Sequence, residues 1–159
     1  MQVCTPFHIR FSETDMMGVV YHANYLLYFE DARTHFLIEA GIPYTIIEEA
    51  GYMCPIREVD MRFGLPLRYE DDAFVVTRIS EIRPSQTVYE QRVFKGAHEP
   101  GILMPEDAAT LEERYGAPVA TAHVNCCIVE TETFKPATFK RAVPEMYAHC
   151  VEIAEPEEV

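Results

Sequence analysis

The chain has 159 residues and a formal charge of −13, from 26 acidic and 13 basic side chains. That balance argues against a nucleic-acid or anionic-membrane partner, which needs a basic face, and leaves any anionic ligand to local donors. With 48% hydrophobic and 25% charged residues, the composition is that of one folded domain spanning 1–159.

Phe7, Ile9 and Phe11 alternate with polar neighbours, so 6–11 reads as a strand. The polar turn Ser12-Glu13-Thr14-Asp15 follows, with Glu13 read as a solvated turn residue. From Asn24 to Ala40 the apolar spacing becomes helical, with Asn24 as N-cap and Gly41 as a left-handed stop before Pro43. The opening Tyr25-Leu26-Leu27-Tyr28-Phe29 is apolar nearly all round. That predicts a helix enclosed by sheet or by a second subunit.

A short helical turn over 44–50 precedes Val59, Met61 and Phe63, which alternate with Glu58, Asp60 and Arg62 as a half-buried strand. Two further strands, 73–83 and 87–95, flank the hairpin Pro84-Ser85-Gln86. The Gly-, Pro- and acid-rich segment 96–118, with a short helix over 106–114, reads as a surface loop. Ala120, Ala122, Val124, Cys126 and Ile128 then alternate as the clearest strand. The class predicted is α+β, with one long helix packed on an antiparallel sheet of about five strands.

The N-terminal residues show no basic stretch followed by an apolar run, and no stretch reaches the roughly 18 apolar residues that cross a bilayer. Neither a signal peptide nor membrane insertion is expected. Cys4, Cys54, Cys126, Cys127 and Cys150 form no CxxC pair. Reduced thiols in the cytoplasm are therefore expected, with no zinc site. The histidines form no HExxH grouping, so no metal is predicted, and neither a phosphate loop nor a GxSxG elbow occurs.

Phe11-Ser12-Glu13-Thr14-Asp15-Met16-Met17-Gly18-Val19-Val20-Tyr21-His22-Ala23-Asn24-Tyr25 resembles the signature of the 4-hydroxybenzoyl-CoA thioesterase family, in its YbgC-like branch. An aspartate follows a threonine, a glycine lies three residues on, and Asn-Tyr opens the helix. Phe29-Glu30-Asp31-Ala32-Arg33 continues the pattern. The resemblance covers 6–92 and resumes over 119–129, and the 96–118 insertion departs from it. It implies a hotdog fold, a sheet wrapped around the long helix, and homodimers or homotetramers with active sites at the dimer interface. It also implies an acyl-CoA substrate, with no cofactor beyond that coenzyme A.

By that resemblance Asp15 attacks the thioester, as general base for water or as nucleophile. The unpaired N–H groups at the helix start supply the oxyanion hole, with the His22 N–H as donor and Gly18, Tyr21 and Asn24 shaping the approach. The His22 side chain either orients water or caps the helix start. Met17, Tyr25 and Glu30 are candidate substrate contacts, Glu30 facing either the acyl group or a salt bridge. Met16, Tyr21 and Tyr28 are further candidates for an apolar acyl wall. Arg83 and Ser85 at the hairpin are candidates for the nucleotide, ahead of Arg57 and Arg62. Two other readings stand beside hydrolysis of acyl-CoA: release from an acyl carrier protein, and a non-catalytic acyl-binding module.

Overall fold

The computed structural model describes residues 1–155. Six antiparallel strands form one sheet: β1 (Gln2–His8), β3 (Ile56–Phe63), β4 (Asp72–Arg83), β5 (Gln86–Lys95), β6 (Gly101–Leu103) and β7 (Ala120–Cys127). Their order is β3-β7-β5-β4-β1-β6. A separate pair joins β2 (Tyr52–Met53) to β8 (Val129–Glu130). The sheet thus has six strands where about five were expected, and the sixth comes from the 96–118 insertion. Cross-strand pairing sets the limits of β1, which starts at Gln2 opposite Arg78 and ends at His8 opposite Asp72. The Phe7-Ile9-Phe11 alternation therefore runs past the strand end into a 3-10 turn over Phe11–Glu13.

Helix α1 (Asn24–Glu39) lies on the inner face of the sheet. Phe29, Ala32 and Phe36 are fully buried, whereas Leu26 and Leu27 are 42% and 55% exposed. The sheet covers one side of α1 only, so within one chain the enclosure expected from sheet or from a second subunit is supplied by sheet on that side alone. At the other end Gly41, at φ +71, donates to Ile38 O, and the Ile42 N–H reaches Leu37 O. That double bond is a Schellman stop, and only glycine enters it without strain.

The inner faces of β4, β5 and β7 meet α1 through Val75, Ile79, Tyr89, Val93 and Val124. Alternation sends Phe74, Val76 and Phe94 to the opposite face, where they pack with Cys4, Leu103 and Leu111. The insertion supplies that cover, through β6 and the short helices α3 (Pro105–Ala109) and α4 (Leu111–Tyr115). It is a built element of the outer face rather than a bare surface loop. After the short α2 (Thr45–Glu49), the remaining helices are α5 (Phe139–Ala142) and α6 (Pro144–Ile153). Both went unread in the sequence, although Pro144 in the first turn and Met146 with Cys150 at i,i+4 spacing mark α6. Among the described residues no helix is long and apolar enough to cross a membrane.

Candidate active site

The loop between β1 and α1 is closed by one buried residue. Glu13 is 6% exposed. Its carbonyl oxygen accepts the Tyr21 N–H at 2.9 Å and the Asn24 side-chain amide at 2.8 Å. Its carboxylate accepts the Arg10 N–H at 2.8 Å and Arg10 Nη2 at 2.6 Å. Burial alone would raise this carboxyl, but the Arg10 bonds and the Arg10 charge carry it below its ordinary value. Glu13 is therefore a structural tie and not a solvated turn residue. Asn24 is likewise not the cap. Ala23 occupies that position, and the Asn24 side chain anchors the loop through Glu13.

Within the closed loop, Asp15 O accepts the Gly18 N–H at 2.9 Å, and the Asp15 N–H reaches Val19 O at 2.9 Å. Asp15 Oδ1 accepts the Met17 N–H at 2.8 Å, the local bond of an Asx turn. One carboxylate oxygen is thus held by the chain, and the other makes no hydrogen bond among the described residues. Gly18 sits at φ +70, the left-handed geometry the turn demands. The Val20 N–H bonds Leu67 O at 2.8 Å, which brings the 64–67 loop against the turn.

A cavity of about 170 Å³ opens between these loops. Asp15, Met17, His22 and Tyr25 line one side, and Phe63 and Leu65 the other. Four sequence candidates thus meet in one place. Burial raises the Tyr25 phenol above its ordinary value, with a Leu67 backbone bond opposing it, and its ring packs edge-on against Phe63 at 5.3 Å. At the helix start, the Tyr21 and Asn24 N–H groups are spent on Glu13 O and Tyr21 O. The His22 N–H has no backbone partner among the described residues, so it remains open as a donor.

Other candidates lie elsewhere. Met16 is fully exposed, Tyr21 is 46% exposed, and Tyr28 stacks in the core on Phe7 at 4.3 Å; none of the three lines the cavity. Glu30 and Arg33 line a second cavity, of about 290 Å³, further along α1. Arg83 is exposed and paired with Glu81 at 2.6 Å, and Ser85 O accepts the Ile128 N–H. This hairpin flanks Cys127, whereas Val119 borders the Asp15 cavity. At roughly 3.4 Å per residue the two ends of β7 stand about 24 Å apart, so one protomer does not bring Arg83 or Ser85 to Asp15. Arg57 and Arg62, on the edge strand β3, do not line the cavity either. No residue of 96–118 borders either cavity. Among the described residues no group of three or more metal-ligating side chains occurs.

A sheet wrapped on one long helix, with an aspartate turn at the helix start, is the arrangement of a hotdog thioesterase. A family model of the thioesterase-like superfamily matches residues 9–148. The putative acyl-CoA thioesterase YneP of Bacillus subtilis is 32% identical over 139 residues, 87% of this chain and 88% of the relative. The acyl-CoA thioesterase YbgC of Haemophilus influenzae is 26% identical over 145 residues, 91% and 93% of the two chains. A solved DHNA-CoA thioesterase from Staphylococcus aureus superposes with a TM-score of 0.79 at 24% identity, covering 96% of this chain and 90% of its own. The chain belongs to the thioesterase-like superfamily, and it is a thioester hydrolase with the hotdog fold.

Proposed function

We propose that the protein hydrolyses a small or medium acyl-CoA to the free acid and coenzyme A at the Asp15 cavity. The observation that carries this reading is that Asp15 and His22 line one cavity, with the His22 N–H making no backbone hydrogen bond among the described residues. The thioester carbonyl oxygen sits on the His22 N–H and the positive start of α1, which stabilise the negative charge as it forms. Asp15 Oδ1 is fixed by the turn, and the other oxygen takes a proton from water or attacks the carbonyl carbon itself. In the first route the water oxygen forms the new carbon–oxygen bond; in the second Asp15 forms a mixed anhydride that a water then hydrolyses to the free acid and the regenerated carboxylate; in both the carbon–sulfur bond breaks, and the thiolate leaves and is protonated. Met17 and Tyr25 form part of the acyl wall, and Gly18 lets the turn fold close to the helix. No cofactor enters beyond the substrate's own coenzyme A.

Strand β3 bonds β7 on one side only, and its other edge is unpaired among the described residues. We assign that edge to a homodimer. Antiparallel pairing of β3 with its own copy sets Ile56 opposite the partner's Phe63. The hairpin end of one sheet then faces the Asp15 end of the other, which gives Arg83 and Ser85 a route to the nucleotide across the interface. The donor is coenzyme A rather than an acyl carrier protein, because a chain of charge −13 repels an acidic carrier. Five free cysteines support a reducing compartment, the cytoplasm.

The test is Asp15→Asn. Its kcat/KM falls by roughly two orders of magnitude or more, the scale of a lost acid–base group, with the circular dichroism unchanged. Retained hydrolysis in a folded variant removes Asp15 from the chemistry. Label from ¹⁸O-water in the Asp15 carboxylate after a single turnover identifies the nucleophilic route with water attacking the aspartyl carbon of the anhydride, whereas a general base leaves Asp15 unlabelled.

A further inference from the structure

Within one chain the two cavities share no lining residue. They meet across the β3 pair, because Ile56 lines the Arg33 cavity and Phe63 the Asp15 cavity. Antiparallel pairing sets each of these residues opposite the other. An acyl group held at one protomer's Asp15 thus enters the neighbour's Arg33 cavity at Ile56. The pairing does not fix where that acyl group ends.

Exposure falls along the cavity. Glu30, Thr34 and Ile56 at its rim are exposed, whereas Leu37, Met146 and Cys150 are buried. Glu30 and Leu37 are seven residues apart on α1, about 10 Å at roughly 1.5 Å per residue. The depth thus runs along α1 towards its C-terminal end, and there α6 crosses it. His149 Nε2 of α6 lies 3.0 Å from the carbonyl oxygen of Ala40, the residue that caps α1. Just beyond α6, the Glu155 N–H donates to Ile79 O of β4 at 2.9 Å. Helix α6 is therefore tied to α1 at one point and to the sheet at another, across the end of the gap between them. Met146 and Cys150, one turn apart, are the side chains it contributes to the cavity. Neither carries charge at neutral pH. Met146 has no ionisable group, and burial pushes the Cys150 thiol up to about 11.

We propose that α6 is the end-plate of the acyl site, and that Met146 and Cys150 set the longest chain the enzyme accepts. Its role as an end-plate rests on the β3 pair and on an acyl-CoA being the ligand. An uncharged wall of thioether and thiol takes the methyl end of an aliphatic chain. A volume of about 290 Å³ holds about ten water-sized groups of roughly 30 Å³ each, which sets the substrate class as unbranched acyl chains of about eight to ten carbons.

The test measures binding of S-alkyl-CoA thioethers, from butyl to tetradecyl, to the whole protein, and hydrolysis of the matching acyl-CoAs. A thioether has no carbonyl to attack, so its affinity reports the cavity without turnover. For the native chain, affinity rises about fourfold per added methylene and levels off near eight to ten carbons. Met146→Ala shortens the side chain at the wall and moves that limit out by about two carbons. Cys150→Leu moves it in by about two carbons, and the ratio of decyl to butyl affinity drops roughly tenfold. The same shifts appear in kcat/KM across the acyl-CoA series. General destabilisation lowers every chain length alike and does not shift the limit in opposite directions. The proposal fails if both folded variants keep the native limit. Where a variant does not fold, the native series decides, and affinity that is flat throughout or still climbing at tetradecyl overturns the end-plate. Asp15→Asn keeps the two readings apart. If it retains hydrolysis while the limits still move, Asp15 leaves the chemistry and the end-plate stands.

Discussion

The two cavities border opposite ends of the same strand, β3, and are built in opposite ways. The Asp15 cavity, at the Phe63 end, is made by a loop whose main chain is tied at Glu13, Asp15 and Val20. The Arg33 cavity, at the Ile56 end, is a gap between side chains of four packed elements. The first depends on the placement of single backbone atoms, which suits a site where charge must be met at a fixed point. The second depends on volume and on one half-buried cation, Arg33. The two should therefore fail under different substitutions.

The largest effect is expected where both share a support. Phe29 is fully buried, and its carbonyl oxygen holds Gln91. Phe29→Ala should cost about 3–5 kcal/mol, the range for a buried aromatic reduced to a methyl group. Chemical denaturation should show that loss, and thioester hydrolysis should melt out with the fold. Separate losses would show that α1 is not their common beam.

Glu13→Gln should act on one cavity alone. The Glu13 carboxyl has a lowered value in the folded state, so its contribution is complete above the ordinary 4.5 and fades as pH drops through the lower folded value. The variant should lose less stability than the native chain over that acid range, as followed by thermal melts from pH 6 downwards. Asp71 and Glu155 are lowered in the same sense, so some acid sensitivity persists. At neutral pH the variant should have a lower Tm and a lower kcat. Gly18→Ala is milder. Arg68 Nη1 lies 3.7 Å from an added Cβ, an ordinary contact, so only the φ of +70 is strained. That costs about 1–2 kcal/mol and should lower kcat, again without touching the Arg33 cavity.

The same contrast explains what could be read from the sequence. The Asp15 turn, Gly18 and the start of α1 fall within one short stretch, so spacing together with family resemblance placed them. Strands β4, β5 and β7 were legible because alternation is a local pattern. Glu13 was misread because its burial comes from Arg10 folding back and Tyr28 arriving from α1, and neither is visible in a run of polar turn residues. Asn24 was misread because a cap accepts with the side-chain oxygen, whereas here the side-chain nitrogen donates to Glu13 O, a partner eleven residues back. The Arg33 cavity left no local signal at all. Its lining spans residues 30 to 150, and only packing brings Cys54, Cys126 and Cys150 together. The sixth strand was missed for a related reason, since three residues after Gly96–Pro100 become β6 only by pairing with β1.

His22 provides the smallest expected effect and the sharpest division within the Asp15 site. His22 is exposed, its ring leans on Tyr21 with centroids 4.4 Å apart, and its N–H has no backbone partner among the described residues. If the main chain does the work, His22→Ala keeps the donor and should change kcat/KM by only about threefold, far below the 10²–10⁴ of a lost acid–base group. A loss of that larger size would move the imidazole into proton transfer. The backbone role then needs a different probe, because no side-chain substitution other than proline removes an N–H. His22→Pro removes it, and comparing that variant with His22→Ala isolates the amide. If the two variants are equally active and equally folded, the oxyanion is held elsewhere.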